Sequence, residues 1–164
     1  MITAEMQVGK SLIIVYSYHH NNTFKVAEEF SKVLNADIIG PGDVILNELE
    51  GYDLIGFGAG IDSGSHYQQL LDLADLLPLV DKKRAFIFST SAIQGDSKVF
   101  KDHSALRGKL EMKGYHIVGE FSCKGFNTNS FLKYLGGMNK GKPDMEDLKR
   151  AREFSANLSG LYLK

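Results

Sequence analysis

The chain of 164 residues has no tryptophan and a single cysteine, Cys123. One cysteine excludes a disulfide framework and suits a reducing compartment. Long apolar runs are missing too. Leu12 to Tyr16, the longest near the start, is far too short to span a bilayer and lacks the flanks of a secretory signal. Charge of one sign is also absent: 19 basic residues face 20 acidic ones, for a net charge of -1. That removes the basic surplus that binding along nucleic acid requires. What is present, 43% hydrophobic and 24% charged residues, belongs to an ordinary globular chain able to bury a core without staples. The expectation is a cytoplasmic protein with neither nucleic acid nor membrane as partner, with residues 1–10 a loose leader and 11–164 one domain.

Strand and helix patterns alternate along the chain. Ser11 to Ser17 is a continuous apolar run with a β-branched centre, as in a strand buried on both faces. Asn21, Asn22 and Thr23 offer N-caps for a helix carrying Val26, Ala27, Phe30, Val33 and Leu34 on one face, with Lys25, Glu28, Glu29 and Lys32 turned away. Asn35 closes it, and Ala36 to Gly40 reads as a short strand. Asp53 to Ala59 is a buried strand whose glycines allow a neighbour's close approach. Ser65 and Gln68 have the spacing of a capping box ahead of a helix that Pro78 stops. Arg84 to Ser89 and Tyr115 to Cys123 read as further strands, the second nearer an edge, with a helix through Leu106 and Leu110 between them. Pro143 opens a last helix with Asp144, Glu146 and Asp147 in its first turn. Such alternation predicts an α/β fold, a parallel sheet with helices on both faces. Ligands then gather at the carboxyl ends of the strands. The loops 17–23, 60–66 and 90–95 meet there, beside 123–127.

The first of these loops joins hydroxyls and amides to the free N–H groups of a helix start, a combination suited to a phosphate dianion; the alternative is that Asn22 and Thr23 only cap the helix. It lacks the glycine–lysine pattern of a P-loop, and no Gly-x-Gly-x-x-Gly follows the strand. No strand-to-helix turn carries a Gly-x-Ser-x-Gly elbow.

The segments SYHHNNT at 17–23, YDLIGFGAGI at 52–61, FSTSA at 88–92, GYHIVGEFSCKGFNT at 114–128 and GKPDMEDLKRAREF at 141–154 resemble, in this order, the flavodoxin-like FMN proteins, in particular a short-chain branch with a Ser-x-His-His-Gly-Asn-Thr phosphate loop. The resemblance implies a flavodoxin-like three-layer sandwich with five parallel strands in the order 2-1-3-4-5, binding FMN without a covalent bond. It further implies that Ser17 and Thr23, with Tyr18, His19, His20, Asn21 and Asn22 between them, hold the phosphate. Gly60, Ile61, Asp62, Ser63 and Gly64, with Thr90, Ser91, Ala92, Ile93, Gln94 and Gly95, then flank the isoalloxazine ring, and Cys123 and Phe126 adjoin it. Asn21 and Ala92 replace frequent glycines. Without tryptophan, stacking falls to Tyr67, Phe126, Ile61 and Ile93, Tyr67 being equally placed for the core.

The function implied is electron transport, the FMN exchanging electrons with a redox partner protein, the chain being a monomer or homodimer. The alternatives are an NAD(P)H-dependent flavin or quinone oxidoreductase and a flavin-binding regulatory module without turnover. No side chain stands out as catalytic. Electron-carrying flavodoxins are usually strongly acidic, whereas this chain is nearly neutral, with lysines at 124, 133, 140 and 142 beside the expected site. His19, His20, His66 and Asp62 share that sheet end but lack the tight spacing of metal ligands. Cys123 is either a reactive thiol or a buried strand-end residue. A receiver domain of the same sheet order fails, since no acidic pair follows the first strand.

Overall fold

The computed structural model describes residues 9–18, 21–126 and 137–161. Ten elements of regular structure carry the fold: β1 (Ser11–Tyr16), α1 (Asn22–Leu34), β2 (Asp37–Ile39), β3 (Leu54–Asp62), β4 (Ser65–His66), α2 (Gln68–Leu76), β5 (Lys83–Ser91), α3 (Asp96–Met112), β6 (Tyr115–Lys124) and α4 (Met145–Leu161). The main strands are parallel in the order β2-β1-β3-β5-β6. Counted without β4, this is the order 2-1-3-4-5, and β6 lies at the edge. The sixth strand is a departure from the five expected: β4 folds back antiparallel on β3, pairing Ile61 with His66 and Asp62 with Ser65. The Ser65–Gln68 spacing therefore marks this hairpin and not a capping box. Ser65 is engaged in the ladder, and Tyr67 is the residue that precedes α2, without a side-chain cap.

Alternation along the strands divides the core. Leu12 and Ile14 of β1 face α2 and α3, joining Leu70, Ala74, Leu106 and Leu110. Ile13 and Val15 face α1 and α4, joining Val26, Phe30, Ala151 and Leu158. The end of α1 needs no glycine, because Asn35 itself takes the left-handed conformation at φ 49° and stops the helix. Lys10, just before β1, is tied to Asp53 ahead of β3: its N–H donates to Asp53 Oδ2 at 3.0 Å and its carbonyl accepts from Asp53 N–H at 2.8 Å. Residues 1–8 lie outside the described residues.

The glycines of β3 are where the two layers interlock. Gly56 pairs with Phe86 and Gly58 with Phe88 across the ladder. A Cβ on either glycine would lie 2.3 Å from its neighbour's ring. The rings thus lie over bare backbone and meet Phe30 of α1 edge-on, with centroids 5.4 and 5.0 Å away. Phe121 and Phe154 complete the cluster around Phe30 at 5.6 Å each. Such aromatic contacts add to the burial of large apolar surfaces.

Two ion-pair groups tie the outer helices down. The helical pattern turns Glu29 to the solvent face of α1, yet it is only 9% exposed. Arg152 of α4 reaches Glu29 Oε2 at 3.1 Å, and Lys32 reaches Oε1 at 3.2 Å. Burial opposes the charged carboxylate, but these hydrogen bonds outweigh it and hold its pKa below the ordinary value. At the start of α4, Asp144 Oδ1 accepts from Asp147 N–H while Asp147 Oδ2 accepts from Asp144 N–H, both at 3.0 Å. This reciprocal cap satisfies helix-start donors, and Lys142 bridges both carboxylates at 2.6 and 3.3 Å. Lys142 is therefore not a free cation of a lysine-rich loop, and Lys133 lies outside the described residues. Among the described residues, no helix is long and apolar enough to cross a membrane.

Gly58→Ala should lower stability by about 2–3 kcal/mol, because the added methyl displaces the Phe88 ring from a packed core. Urea unfolding followed by circular dichroism checks this, and an unchanged midpoint would refute the interlock.

Candidate functional site

The loops after β1, β3 and β5 meet at the carboxyl edge of the sheet, with the end of β6 beside them. They form a cleft lined by Ser17, Tyr18, Asn22, Thr23, Gly60, Ile61, Tyr67, Thr90, Ser91, Ala92 and Phe126, all singled out from sequence, together with Gly125. Its enclosed volume is about 40 Å³, enough for a small polar group and far below the roughly 300–1,000 Å³ of a pocket that engulfs a whole ligand. Anything larger must rest on the open rim.

The first turn of α1 builds one wall. Asn21 stands at φ 53°, ψ 28°, in the left-handed region that glycine favours and asparagine tolerates. That turn brings Ser17 back over the helix start, where its Oγ accepts from Phe24 N–H at 3.3 Å. Asn22 and Thr23 are buried, and their side chains do not cap the helix; they reach to other elements. Asn22 Nδ2 donates to the Phe126 carbonyl at 2.7 Å. Thr23 Oγ1 lies 2.8 Å from Thr90 Oγ1 at the end of β5. Gly125 makes the first contact possible, since a Cβ there would lie 2.7 Å from Asn22 Nδ2. Asn22 Oδ1 remains buried in the cleft wall without a hydrogen-bond partner among the described residues.

An aromatic wall stands opposite. Tyr67 packs its ring against Gly60, where a Cβ would lie 2.8 Å from Cε2. Its centroid is 5.6 Å from Tyr16 and 6.2 Å from Tyr18. Tyr67 thus serves both roles open to it in sequence, touching the core and lining the cleft. Tyr18, a lining residue, is 66% exposed, whereas Ile93, 56% exposed, does not line the cleft. The hairpin tip, Asp62, Ser63 and Gly64, is exposed, with Ser63 at φ 52° and Gly64 at φ 84°.

Other expected residues fall elsewhere. Gln94, Gly95 and Cys123 border a neighbouring groove of about 640 Å³ between the starts of α3 and α4. The Cys123 side chain joins the core under α1 and α4 at 1% exposure, and burial pushes its thiol up to about 12. It is a buried strand-end residue, without the lowered pKa of a reactive thiol. His19 and His20 lie outside the described residues.

His66 turns away from the rim into the protein. Its Nε2 lies 3.0 Å from the Phe88 carbonyl, and Nδ1 is buried without a partner among the described residues. Burial chiefly, with His103 beside it, presses its pKa down to about 3. The two imidazole centroids are 4.9 Å apart. His103 Nε2 lies 2.7 Å from Ser89 Oγ, and His103 Nδ1 lies 3.0 Å from Glu120 Oε1. Arg107 donates to both oxygens of Glu120, at 3.0 and 2.8 Å. Burial opposes the Glu120 charge, but the hydrogen bonds from His103 and Arg107 prevail and hold its pKa down at about 2. Ser89 Oγ donates to Ser122 Oγ at 2.9 Å, which carries the network across to β6.

The topology and the cleft at the carboxyl edge agree with one family, and the sequence profile of the flavodoxin domain matches residues 13–156. The chain belongs to that family. An uncharacterized protein of Methanocaldococcus jannaschii is 43% identical over 149 residues, 91% of this chain and 97% of the relative. Among solved structures, oxidised flavodoxin 2 from Bacillus cereus superimposes with a TM-score of 0.67 at 16% identity, covering 93% of this chain and 99% of that one. The flavodoxin of Fusobacterium nucleatum bound to flavin mononucleotide gives a TM-score of 0.63 at 12% identity, covering 93% and 98%. At such identities these structures speak for the fold.

The buried imidazole has a consequence for acid stability. With its folded pKa near 3 against an ordinary 6.5, His66 takes up a proton in the unfolded chain first, so stability falls as pH drops below 6.5. Glu120, depressed from 4.5 to about 2, adds its own loss only from 4.5 downward. His66→Leu should therefore flatten the pH dependence of the unfolding free energy between pH 6.5 and 4.5. Urea titrations across that window test it, and an unaltered slope would remove His66 as the cause.

Proposed function

We propose that this chain holds FMN noncovalently at the cleft and acts as an electron carrier. The observation that carries this reading is the convergence on one cleft of a hydroxyl-lined helix start, an aromatic wall and a loop after β5 whose Ala92 and Ile93 N–H groups have no partner among the described residues. The residues present fit the cofactor. The start of α1 with Ser17 and Thr23 suits a phosphate dianion, through the helix dipole and its donors. The small enclosed volume accepts such a head group, while the open rim beside Tyr18 and Tyr67 leaves room for a flat ring. The buried, unpartnered Asn22 Oδ1 calls for a donor, which the hydroxyl-bearing chain of FMN would supply. FMN when bound supplies reversible one- and two-electron redox chemistry.

The protein's own contribution is placement and exclusion of water. Asn22 fastens the phosphate-side wall to Phe126, and Thr23 fastens it to Thr90, so the head-group and ring-side loops share one set of hydrogen bonds. An NAD(P)H-dependent oxidoreductase is the rival reading. Mixing the FMN-loaded protein with NAD(P)H alone separates the two, because direct bleaching of the flavin would favour the enzyme.

Thr23→Val and Ser17→Ala should each weaken FMN binding by roughly 1–3 kcal/mol, the loss of a hydroxyl donor to the phosphate. Isothermal titration of the apoprotein with FMN measures it. Affinities equal to the wild type's would displace the phosphate from the start of α1, and absence of any visible flavin spectrum after reconstitution would overturn the reading as a whole.

A further inference from the structure

We propose that Gln94 and Asn139 are positioning residues, which fix the 91–93 loop so that its carbonyls are occupied and its N–H groups face the acceptor edge of the bound flavin. This rests on the FMN reading above. All three carbonyls of the loop are taken from within the protein. Ser91 O accepts from Gly125 N–H at 3.0 Å, Ala92 O from Asn139 Nδ2 at 2.7 Å, and Ile93 O from Ser91 Oγ at 2.9 Å. The N–H groups of Ala92 and Ile93, by contrast, have no partner among the described residues. The loop thus offers a ligand donors.

Gln94 holds that arrangement in place. Its Nε2 lies 2.7 Å from Ser91 Oγ, 3.0 Å from Ser122 Oγ and 3.1 Å from the Cys123 carbonyl. The amide therefore occupies the acceptor side of Ser91 Oγ and leaves its proton for Ile93 O. Ser122 is in turn held by Ser89, rooted in the His103–Glu120 network. Asn139 clamps from the other side, on a turn that Lys142 O joins to Phe126 N–H at 3.1 Å. Neither side chain borders the cleft, so both act through the loop.

Donors aimed at a ring's acceptor atoms favour the form with more negative charge, which for a flavin is the reduced one. The clamp should therefore raise the reduction potential as well as the affinity. Gln94→Met and Asn139→Ala test it in two measurements. Amide hydrogen exchange of the apoproteins should accelerate in residues 91–94 while the centre of β5 stays protected. In the FMN-loaded proteins, spectroelectrochemical titration should give more negative potentials, with reduced FMN losing about tenfold in affinity, as for one lost hydrogen bond. Exchange and potentials both like the wild type's in the two variants would overturn the proposal. A wild-type protein that takes up no FMN overturns the flavin reading instead, and exchange alone then decides whether the clamp exists. Should Gln94→Met fail to fold, Asn139→Ala, on a surface turn, carries both measurements.

Discussion

The contact between bare backbone on β3 and the phenyl rings of Phe86 and Phe88 governs the geometry of this molecule. A side chain at Gly56 or Gly58 would lie within 2.3 Å of those rings, so the rings can lie down only because the glycines are there. Lying down, they present a face on which Phe30 of α1 stands edge-on, and Phe154 of α4 packs against Phe30 and Phe86. The position of α1 over the sheet follows. So does the direction in which its first turn points, toward the carboxyl ends of β3 and β5.

Polar contacts take over where the apolar interlock ends. Phe88 is followed by Ser89, Thr90 and Ser91, all buried, and each hydroxyl is spent on a hydrogen bond within the protein. Ser89 joins β6 and α3, Thr90 joins α1, and Ser91 shapes its own loop. Buried polar groups stabilise only when their partners are in place. A single strand thus changes within three residues from packing helices to positioning loops, which is how an open parallel sheet can hold a rigid ligand edge.

Much of this is legible in the sequence, for reasons that can be stated residue by residue. The apolar run of β1, the stripe through Val26, Ala27 and Phe30, and the asparagine at position 35 are local signals with local consequences. Asn21 reads as a tolerant substitute for glycine because its backbone conformation is a property of that one residue. The failures share another trait. Glu29 lies on the charged side of a helical pattern, and only the arrival of Arg152, 123 residues later, explains its burial. Ser65 and Gln68 satisfy a spacing rule that the pairing of Ser65 with Asp62 overrides. Asn22 and Thr23 have the chemistry of caps, yet their partners come from distant segments that no local window contains. Gly125 escapes such a window for the same reason. Its one available signal is its place next to Phe126, within a segment already set beside the cleft.

The bond from Asn22 to the Phe126 carbonyl spans 104 positions of the chain. Closing so long a loop costs entropy before the contact returns anything. The Asn22–Phe126 side of the cleft therefore cannot close until the chain through the end of β6 is in place, although Asn22 lies at the start of the first helix. A nascent chain emerging from a ribosome would carry its helix start long before it had anything to hold with it.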